Sequence, residues 1–410
     1  MDDVICIILS NLNLWSLLNI RAVDRYYHNC ITNKKINKNF NCTIIPKQVQ
    51  PFTQINKGKG IKNINYNLVI RGQVTFNSLE LGQIPNIKSL QILNRSIKDE
   101  HIKVLTDLES LVILEKSKIT VNSLTYLTNL VYLNSLKDLS SYAFVSLPKL
   151  KYLRTRQRPK ASVLSKLTNL IELSSPDLTS RDLQHLTNLT SLSSEEIYGT
   201  DLFSGLSNLS KLKKLNLGKG VYTSYDYVKY LTMLETLTLN TKMSKEGFGY
   251  LTNLTDLSVW GEYFQNDYIK CLTKLKALEL SNNQSISENG LQHLPQLTCL
   301  KLINCRCSLN MLTQLKNLTL NNASLIEFPY RFQFKHLSGL LELNLTNNNN
   351  VKKTDIFYLT NLISLRVINN EIIENQDIGH LTKLKELYTI KSKITPDIIN
   401  KLPNLENLYK

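Results

Sequence analysis

Histidine is the side chain of this sequence best suited to acid–base or metal chemistry, and its spacing follows a repeat. Four of the six histidines each directly precede the first leucine of a repeated segment: His185, His293, His336 and His380. In other segments a tyrosine occupies this position, as Tyr126 and Tyr358 do. Ligands of one metal ion must meet within a few ångströms, whereas residues two segments apart along a stack of strands should lie about 10 Å apart. The spacing therefore indicates one outer-face position of a repeat, and we expect no metal centre.

Glycine and cysteine also lack the spacing of a reactive motif. Gly58-Lys59-Gly60 and Gly218-Lys219-Gly220 do not match the G-x-x-x-x-G-K-[ST] pattern of phosphate-binding loops, and we interpret both as turns. Cys305 and Cys307 form C-x-C, which is not a zinc-finger spacing. Cys299 has no evident histidine beside it to activate the thiol. We therefore expect a protein without catalytic residues or a cofactor, which is not an enzyme.

Composition sets limits on the compartment and on the partners. The chain has 410 residues, a formal net charge of +16 and 7 cysteines. This charge permits an acidic partner without identifying one. Met1-Asp2-Asp3 lacks the basic start of a secretory signal, and no window supplies the roughly 20 apolar residues of a membrane span. We predict reduced thiols, no membrane partner and a cytoplasmic or nuclear location.

A leucine repeat organises most of the sequence. From residue 84 to the C-terminus the pattern L-x-x-L-x-x-L recurs in sixteen units, and LTKLKALELSNN (272–283) is a clear example. The mean period of about 21 residues is typical of leucine-rich repeats. The L-x-L part predicts a strand with alternate residues pointing inward. Stacked units bury one continuous core, so we predict an α/β leucine-rich-repeat solenoid with a curved parallel sheet and short outer helices.

Two further positions of the repeat predict local structure. Asn or Cys five residues after the third leucine should satisfy main-chain groups where the chain leaves the strand. These residues are Asn283, Cys305, Asn348 and Asn370. Thr395-Pro396 has the form of an N-cap followed by proline at the first helical position. Similar helix starts are predicted at Ser180, Ser244, Ser287 and Thr354.

Four successive units replace the second strand leucine with a hydroxyl residue. The replacements are Ser135, Thr155, Ser175 and Ser194. Because these side chains fill less of the core than leucine does, we expect looser packing in this region.

The residues between the strand leucines should form the concave, functional surface of an open solenoid. Large aromatic residues and arginine usually anchor protein–protein interfaces. The candidate target-binding residues are therefore Tyr132, Tyr152, Arg154, Arg156, Trp260, Glu279, Arg366 and Tyr388. The alternative for Trp260 is packing against a neighbouring loop.

The segment LPKLKYLRTRQRPK (147–160) is the densest basic cluster. Arg154 and Arg156 alternate along one predicted strand, so both should face the concave side. They could receive a carboxylate, a phosphorylated segment or nucleic acid; the alternative is a solvated face. Glu172 and Asp256 argue against the broad basic groove that a nucleic-acid partner needs.

The N-terminal 30 residues predict short amphipathic helices. Ile5, Ile8, Leu9 and Leu12 fall on one helical face, and Ser16 is a plausible N-cap before Leu17 and Leu18. Residues 33–83 fit neither this part nor the repeat clearly, although YNLVIRGQVTF (66–76) is typical of a strand that caps the first unit.

The order IILSNL (7–12), SLLNIRAV (16–23) and RYY (25–27) resembles an F-box, a three-helix module that docks onto a Skp1-type adaptor. Met1-Asp2-Asp3 stands where that family usually has Leu-Pro. An F-box before leucine-rich repeats is similar to substrate receptors of cullin–RING ubiquitin ligases, and the composition resembles such proteins of giant DNA viruses of amoebae. The resemblance implies an adaptor-binding face formed by Ile8, Leu9, Leu12, Leu17, Leu18, Val23 and Tyr27.

These readings predict three parts and leave two functions open. Residues 1–45 would be the F-box-like module, 46–83 a linker and cap, and 84–410 the solenoid. The first hypothesis is a ligase substrate receptor that holds an unknown target protein on the concave face, in the host cell if the chain is viral. The second is an interaction scaffold in which the N-terminal helices only cap the solenoid.

Overall fold

The computed structural model describes residues 39–44, 65–71, 87–93, 97–139, 141–197, 202–220, 228–240, 245–305, 309, 311–321, 334–351 and 353–410. The predicted adaptor-binding residues, the Ser244 helix start, Cys307 and Gly58-Lys59-Gly60 lie outside these ranges. The chain divides into two compact units, Met1–Leu192 (unit 1) and Ser193–Lys410 (unit 2).

Each unit contains a sheet of parallel strands. Unit 1 holds β1 Asn39–Ile44, β2 Asn65–Arg71, β3 Ile87–Leu93, β4 Ser110–Ile113, β5 Tyr132–Ser135, β6 Tyr152–Thr155 and β7 Glu172–Ser174, each paired in parallel with the next. β8, Ser191–Ile197, crosses the boundary between the units. Unit 2 holds β9 Lys214–Gly220, β10 Thr236–Asn240, β11 Asp256–Trp260, β12 Ala277–Ser281, β13 Cys299–Ile303, β14 Asn317–Asn321, β15 Glu342–Asn344, β16 Ser364–Arg366, β17 Glu386–Tyr388 and β18 Asn407–Tyr409, likewise paired in order.

Short helices return the chain between strands. The α-helices are α1 Asp99–Ile102, α2 Val121–Leu124, α3 Ala161–Leu164, α4 Ser180–Leu183, α5 Leu202–Leu206, α6 Lys245–Gly249, α7 Asn266–Ile269, α8 Glu288–Leu291, α9 Lys353–Ile356 and α10 Asn375–Ile378. Short 3₁₀ helices of one or two turns cover Ser141–Ser146, Val228–Tyr230, Phe334–His336 and Pro396–Lys401.

The leucines of the repeat form the core. In the repeat that contains β12, the side chains of four leucines are at most 2% exposed: Leu272, Leu275, Leu278 and Leu280. The first two leucines stand in the turn that leads to the strand, and the last two alternate along β12. Each repeat of this kind therefore contributes four leucines to the core. The predicted strand in YNLVIRGQVTF is confirmed as β2, whereas β1 was not predicted.

The predicted turn residues are confirmed as a buried ladder. Asn283 donates from Nδ2 to the carbonyls of Gly261 and Phe264, both at 2.9 Å, and its Oδ1 accepts the N–H groups of Ser285 and Ile286. Asn348 and Asn370 make equivalent acceptor contacts. Cys305 takes the same position, with Sγ 3.2 Å from the carbonyl oxygens of Leu280 and Ile303.

The residue before each ladder position has left-handed backbone geometry. Asn282, Asn304, Asn347 and Asn369 have φ between 50° and 56°. Asparagine tolerates this conformation better than most residues. In three of the four turns the two asparagines of an Asn–Asn pair thus have different roles. The first adopts the left-handed conformation that turns the chain, and the second forms hydrogen bonds with main-chain groups.

The asparagine of the LTNL segment forms a second ladder. Its Nδ2 donates to a carbonyl one repeat earlier, at 2.7–3.2 Å, in six pairs of the described chain. The donors are Asn129, Asn169, Asn188, Asn253, Asn361 and Asn404. Each bond joins the turns of adjacent repeats.

Of the four predicted helix starts that lie within the described residues, two are confirmed and two need correction. Ser287 stands at the N-cap position of α8 and Thr395 at that of the 3₁₀ segment that begins at Pro396, as predicted. However, Thr179 and not Ser180 is the N-cap of α4, because its side chain and Asp182 form a capping box. Thr354 lies inside α9, one residue after the helix begins.

Gly218-Lys219-Gly220 is not a turn. These residues end β9, and the register to β10 shifts there, with Leu239 opposite Leu217 and Asn240 opposite Lys219. Gly218 is therefore the extra residue of a bulge, a site where glycine is common within strands.

Candidate target-binding surface on the strand face

The strand face is the sheet surface formed by side chains that alternate with the buried leucines. In unit 1 it carries Tyr132 and Tyr152, which lie opposite each other on β5 and β6 with ring centroids 6.4 Å apart. Both rings are half-buried. Arg154 follows on β6 in register with Asn134 and is exposed. The structure thus brings two predicted aromatic residues and one predicted arginine into one patch.

Arg156 is less available than predicted. It follows directly after β6, and its Nη1 lies 2.6 Å from Oε1 of Glu115. Arg158 is paired with the fully buried carboxylate of Asp182, with Nε 2.9 Å from Oδ2. Because these two cations face carboxylates from other repeats, the segment 147–160 is not a uniformly basic surface.

In unit 2 the predicted Glu279 faces a cation that the sequence reading did not select. Glu279 on β12 lies opposite Lys301 on β13, and Lys301 Nζ is 2.8 Å from Glu279 Oε1. Both side chains are partly exposed. Trp260 ends the neighbouring strand β11 and is 49% exposed. The indole is thus half accessible at the edge of this polar patch.

A stack of three side chains occupies β16, β17 and β18. The guanidinium carbon of Arg366 lies 3.8 Å from the ring centroid of Tyr388. On its other side the Tyr388 ring stacks on Tyr409, with centroids 4.2 Å apart and planes 8° apart. The register places these residues directly opposite one another. Arg366 and Tyr409 are exposed, so the stack ends in groups that a partner can reach.

Acidic groups border this stack. Glu386 lies two residues before Tyr388 on β17, and its Oε2 accepts from the Tyr388 hydroxyl and from Ser364 Oγ, each at 3.4 Å. Burial against the stack raises the pKa of the Tyr388 hydroxyl, and the charge of Arg366 acts in the opposite direction. The site therefore offers a neutral phenol, a cation and a carboxylate within a few ångströms.

Comparison with known proteins bears on the fold. No protein-family model matches the sequence, and a search of curated proteins finds no match. Among solved structures, a leucine-rich-repeat protein of Leptospira interrogans is 21% identical, with 91% of each chain covered and a TM-score of 0.51. Toll in the Drosophila Toll–Spätzle complex is 17% identical, with 87% of this chain and 55% of that chain covered and a TM-score of 0.53.

The fold is a leucine-rich-repeat solenoid.

TLR13, solved as a complex with ssRNA13, is similar to the solenoid in the same way. It is 20% identical, with 82% of this chain and 64% of that chain covered and a TM-score of 0.51. The chain thus spans only 55% of the Toll chain and 64% of the TLR13 chain. Similarity at this level of identity concerns the fold alone.

Two cysteines of the solenoid are packed against their surroundings. Cys299 begins β13 on the strand face and is half-buried, and Cys305 is buried in the turn ladder. Burial raises the pKa of both thiols, which lowers the fraction of reactive thiolate. Cys271, in contrast, is exposed.

The four repeat-position histidines do not converge. His185 and His336 are exposed, and His380 packs against Phe357 with ring centroids 5.2 Å apart. Within the ranges that the structure describes, no group of three or more His, Cys, Asp or Glu residues could hold a metal ion. In the same ranges, no helix combines the length and apolar character needed to cross a bilayer.

Proposed function

We propose that this solenoid is a protein-interaction scaffold whose strand face binds a target protein. The observation that supports the proposal is the Arg366–Tyr388–Tyr409 stack. Tyrosine and arginine are enriched among the residues that dominate binding energies at interfaces. The stack holds both in fixed positions on strands, so little side-chain entropy remains to be lost when a partner binds.

The charge pattern of the strand face favours a protein partner. Glu279, Glu342 and Glu386 stand on this face of unit 2, beside Lys301 and Arg366. A nucleic acid would meet these carboxylates as like charges, whereas a protein can match alternating signs and gain specificity. Two structurally similar chains were solved in complexes, Toll with Spätzle and TLR13 with ssRNA13, so both partner classes enter the test.

Quantitative affinity capture with variants of the full chain tests the strand face. The variant Arg366→Glu plus Tyr388→Ala removes the stack. The matched control, Lys383→Glu plus Tyr358→Ala, makes the same charge change and also removes one tyrosine from the repeat positions outside the strand face. A target of the strand face is retained by wild type and control and lost by the stack variant. Equal retention by all three proteins would exclude the stack as the binding site.

Salt dependence separates the partner classes. Binding that neutralises several phosphates weakens by orders of magnitude between low and moderate salt. A protein bound through the aromatic stack should show a much weaker dependence. Steep salt dependence together with nuclease sensitivity of the captured material would replace the protein target with a nucleic acid.

We further propose that residues 1–45 dock a Skp1-type adaptor, so that the scaffold serves as a substrate receptor of a cullin–RING ubiquitin ligase. The support is the F-box-like order of apolar residues, with Leu17 and Leu18 at its centre. Ubiquitin transfer would then belong to other subunits, and this chain would supply recognition only. The alternative is that these helices only cap the solenoid and recruit no ligase.

Co-purification with a Skp1-type adaptor distinguishes the two roles. The proteins compared are the full chain, a chain lacking residues 1–38, which keeps strand β1, and the Leu17→Asp, Leu18→Asp variant. Retention of adaptor by the full chain alone supports the receptor. If no version retains adaptor while all remain folded, the scaffold without a ligase role is the better account.

A further inference from the structure

Arg366 is a cation of the strand face whose charge is not matched by a carboxylate of the described residues. Its side chain is exposed, and the contact that it makes there is with the ring of Tyr388. Lys301 stands in the same row, three strands away, and is in contrast paired with Glu279 at 2.8 Å. Arg366 therefore presents an unmatched positive charge on the surface that we assign to a partner.

The carboxylates of the two neighbouring strands are held by other groups. Glu386 on β17 accepts from the Tyr388 hydroxyl and from Ser364 Oγ, each at 3.4 Å. On β15, Oε2 of Glu342 accepts from Asn317 Nδ2 at 2.9 Å. Both carboxylates form no ion pair with Arg366, but they limit how much further negative charge this part of the strand face can accept.

The stacked position of Arg366 leaves its hydrogen-bond donors available. The guanidinium carbon lies 3.8 Å from the centroid of the Tyr388 ring. Since the N–H groups of a guanidinium lie in its plane, a ring over its face does not occupy them. A planar group with two oxygens can receive two such N–H groups at once. The geometry thus suits a carboxylate that approaches the edge of the guanidinium.

Asn344 supplies a second donor beside Arg366. It lies opposite Arg366 on β15 and is half-buried. Its Oδ1 accepts the N–H and the hydroxyl of Thr346 at 3.0 and 2.6 Å, so Nδ2 is the other end of the amide, and within the described residues Nδ2 has no partner. Adjacent strands are about 4.8 Å apart. One carboxylate can therefore contact both the guanidinium and the amide.

We propose that Arg366 and Asn344 bind the carboxylate of an aspartate or glutamate side chain of the partner protein. An apolar side chain of the partner near that carboxylate would pack on Tyr409, which is 42% exposed and lies two strands from Arg366, about 10 Å away. The inference rests on the proposed protein-binding function and names the chemistry of the partner at that same site.

The charges around Arg366 favour a carboxylate over a phosphate. A carboxylate carries one negative charge, which matches the one positive charge of Arg366. A phosphate monoester carries about −1.5 to −2 charges near neutral pH. The excess would lie close to Glu342 and Glu386 and be repelled by them. A nucleic acid would bring several such charges to the same surface.

Selection from a library of random peptides, displayed between two carrier domains, tests the inference on the full chain. Wild type should enrich peptides that carry aspartate or glutamate near an aromatic or long apolar residue. Arg366→Glu should exchange the acidic excess for a basic one, because the charge of the site is then reversed. Arg181→Glu, which changes an exposed arginine of unit 1, should select the same acidic peptides as wild type.

Fluorescence anisotropy with selected peptides, synthesised with both ends blocked, measures the contact itself. Replacing the acidic residue by its amide should weaken binding to wild type about tenfold or more, since a hydrogen bond between charged groups is lost. The same replacement should change binding to Arg366→Gln by less than about twofold. Asn344→Asp keeps an acceptor for Thr346 but places a carboxylate beside Arg366, so it should weaken binding of the acidic peptide about tenfold.

Three results would overturn the inference. The first is that wild type yields no peptide whose binding depends on Arg366, or that the amide replaces the acidic residue without loss. The second is equal weakening in Arg181→Glu, which would indicate general attraction to the net charge of +16. The third is tighter binding of a phosphoserine version of the peptide, which would assign the site to a phosphate.

Failure of this inference and failure of the strand-face function give different results. Peptides that are lost in Tyr388→Ala but show no acidic excess would leave the strand face as the binding surface and remove only the carboxylate contact. Peptides that bind equally to wild type, Arg366→Gln and Tyr388→Ala would count against the strand face as well.

Discussion

The guanidinium of Arg366 lies 3.8 Å above the ring of Tyr388 and faces it from the neighbouring strand. The other side of the ring is covered by Tyr409. A cation and two aromatic rings therefore stack across three successive strands at one repeat position. Because the register of the parallel sheet places them opposite one another, this arrangement needs no loop to hold it and is in place before a partner arrives.

The ionisation of Tyr388 should report on this contact. Burial raises the pKa of the Tyr388 hydroxyl, and the positive charge of Arg366 partly opposes that rise. Arg366→Ala should therefore raise the pKa of Tyr388 further. Ring-labelled tyrosine followed by NMR over alkaline pH measures it, with Tyr388→Phe to assign the signal. Arg181→Ala, an exposed arginine in unit 1, is the control, and an unchanged or lower pKa in Arg366→Ala would contradict the stacked geometry.

The buried ladder predicts a large effect for one asparagine. Asn283→Ala removes the partners of two carbonyls and two N–H groups and should lower the free energy of unfolding by about 2–3 kcal/mol. Urea denaturation measures the change. Asn289→Ala, on the exposed side of α8, should cost less than about 0.5 kcal/mol. Equal costs for the two variants would show that the ladder does not stabilise the turns.

The pair of Arg158 and Asp182 predicts a non-additive result. The Asp182 carboxylate is fully buried and shares Oδ2 among Arg158, the Thr179 N–H and the Thr179 hydroxyl. Arg158→Ala leaves this charge without a cation and should lower the free energy of unfolding by about 2–3 kcal/mol. Adding Asp182→Asn to Arg158→Ala should recover part of that loss in urea denaturation. Strictly additive losses would mean that the two charges do not interact.

The pH dependence of stability should include a contribution from Glu374. A hydrogen bond from Lys353 holds the pKa of this carboxyl below its ordinary value of 4.5. Since the folded-state pKa is the lower one, the contribution is complete above that ordinary value and disappears as the pH falls through the depressed pKa. Glu374→Gln should thus be less stable than wild type at pH 7 and equal to it in strong acid. Thermal unfolding between pH 2 and 7 tests this, and a constant difference at every pH would contradict it.

The sequence predicts those features that depend on a single repeat. Leu278 and Leu280 must be buried whatever their neighbours do, and Asn283 is identified by its fixed distance from them. The first asparagine of each Asn–Asn pair was missed, although its recurrence at Asn347 and Asn369 signals a left-handed turn. The LTNL asparagines were also missed as a ladder, because their bonds reach a carbonyl of the preceding repeat.

Features that depend on side-chain placement between repeats could not be predicted. Arg156 and Glu115 are separated by two strands, and nothing in either local segment indicates that they meet. The same holds for Lys301 with Glu279 and for the third member of the stack, Tyr409. The repeat predicts which residues lie on the strand face. Which of their charges are paired with a neighbouring side chain could be seen only in the structure.

The affinity of the captured target for strand-face variants tests the central claim most directly. Isothermal titration with purified target would compare wild type, Arg366→Ala, Tyr388→Ala and the outer control Tyr358→Ala. A strand-face anchor predicts that each stack variant binds at least about tenfold more weakly, whereas Tyr358→Ala stays within twofold. Unchanged affinity in both stack variants, or a larger loss in Tyr358→Ala, would contradict recognition through the strand face.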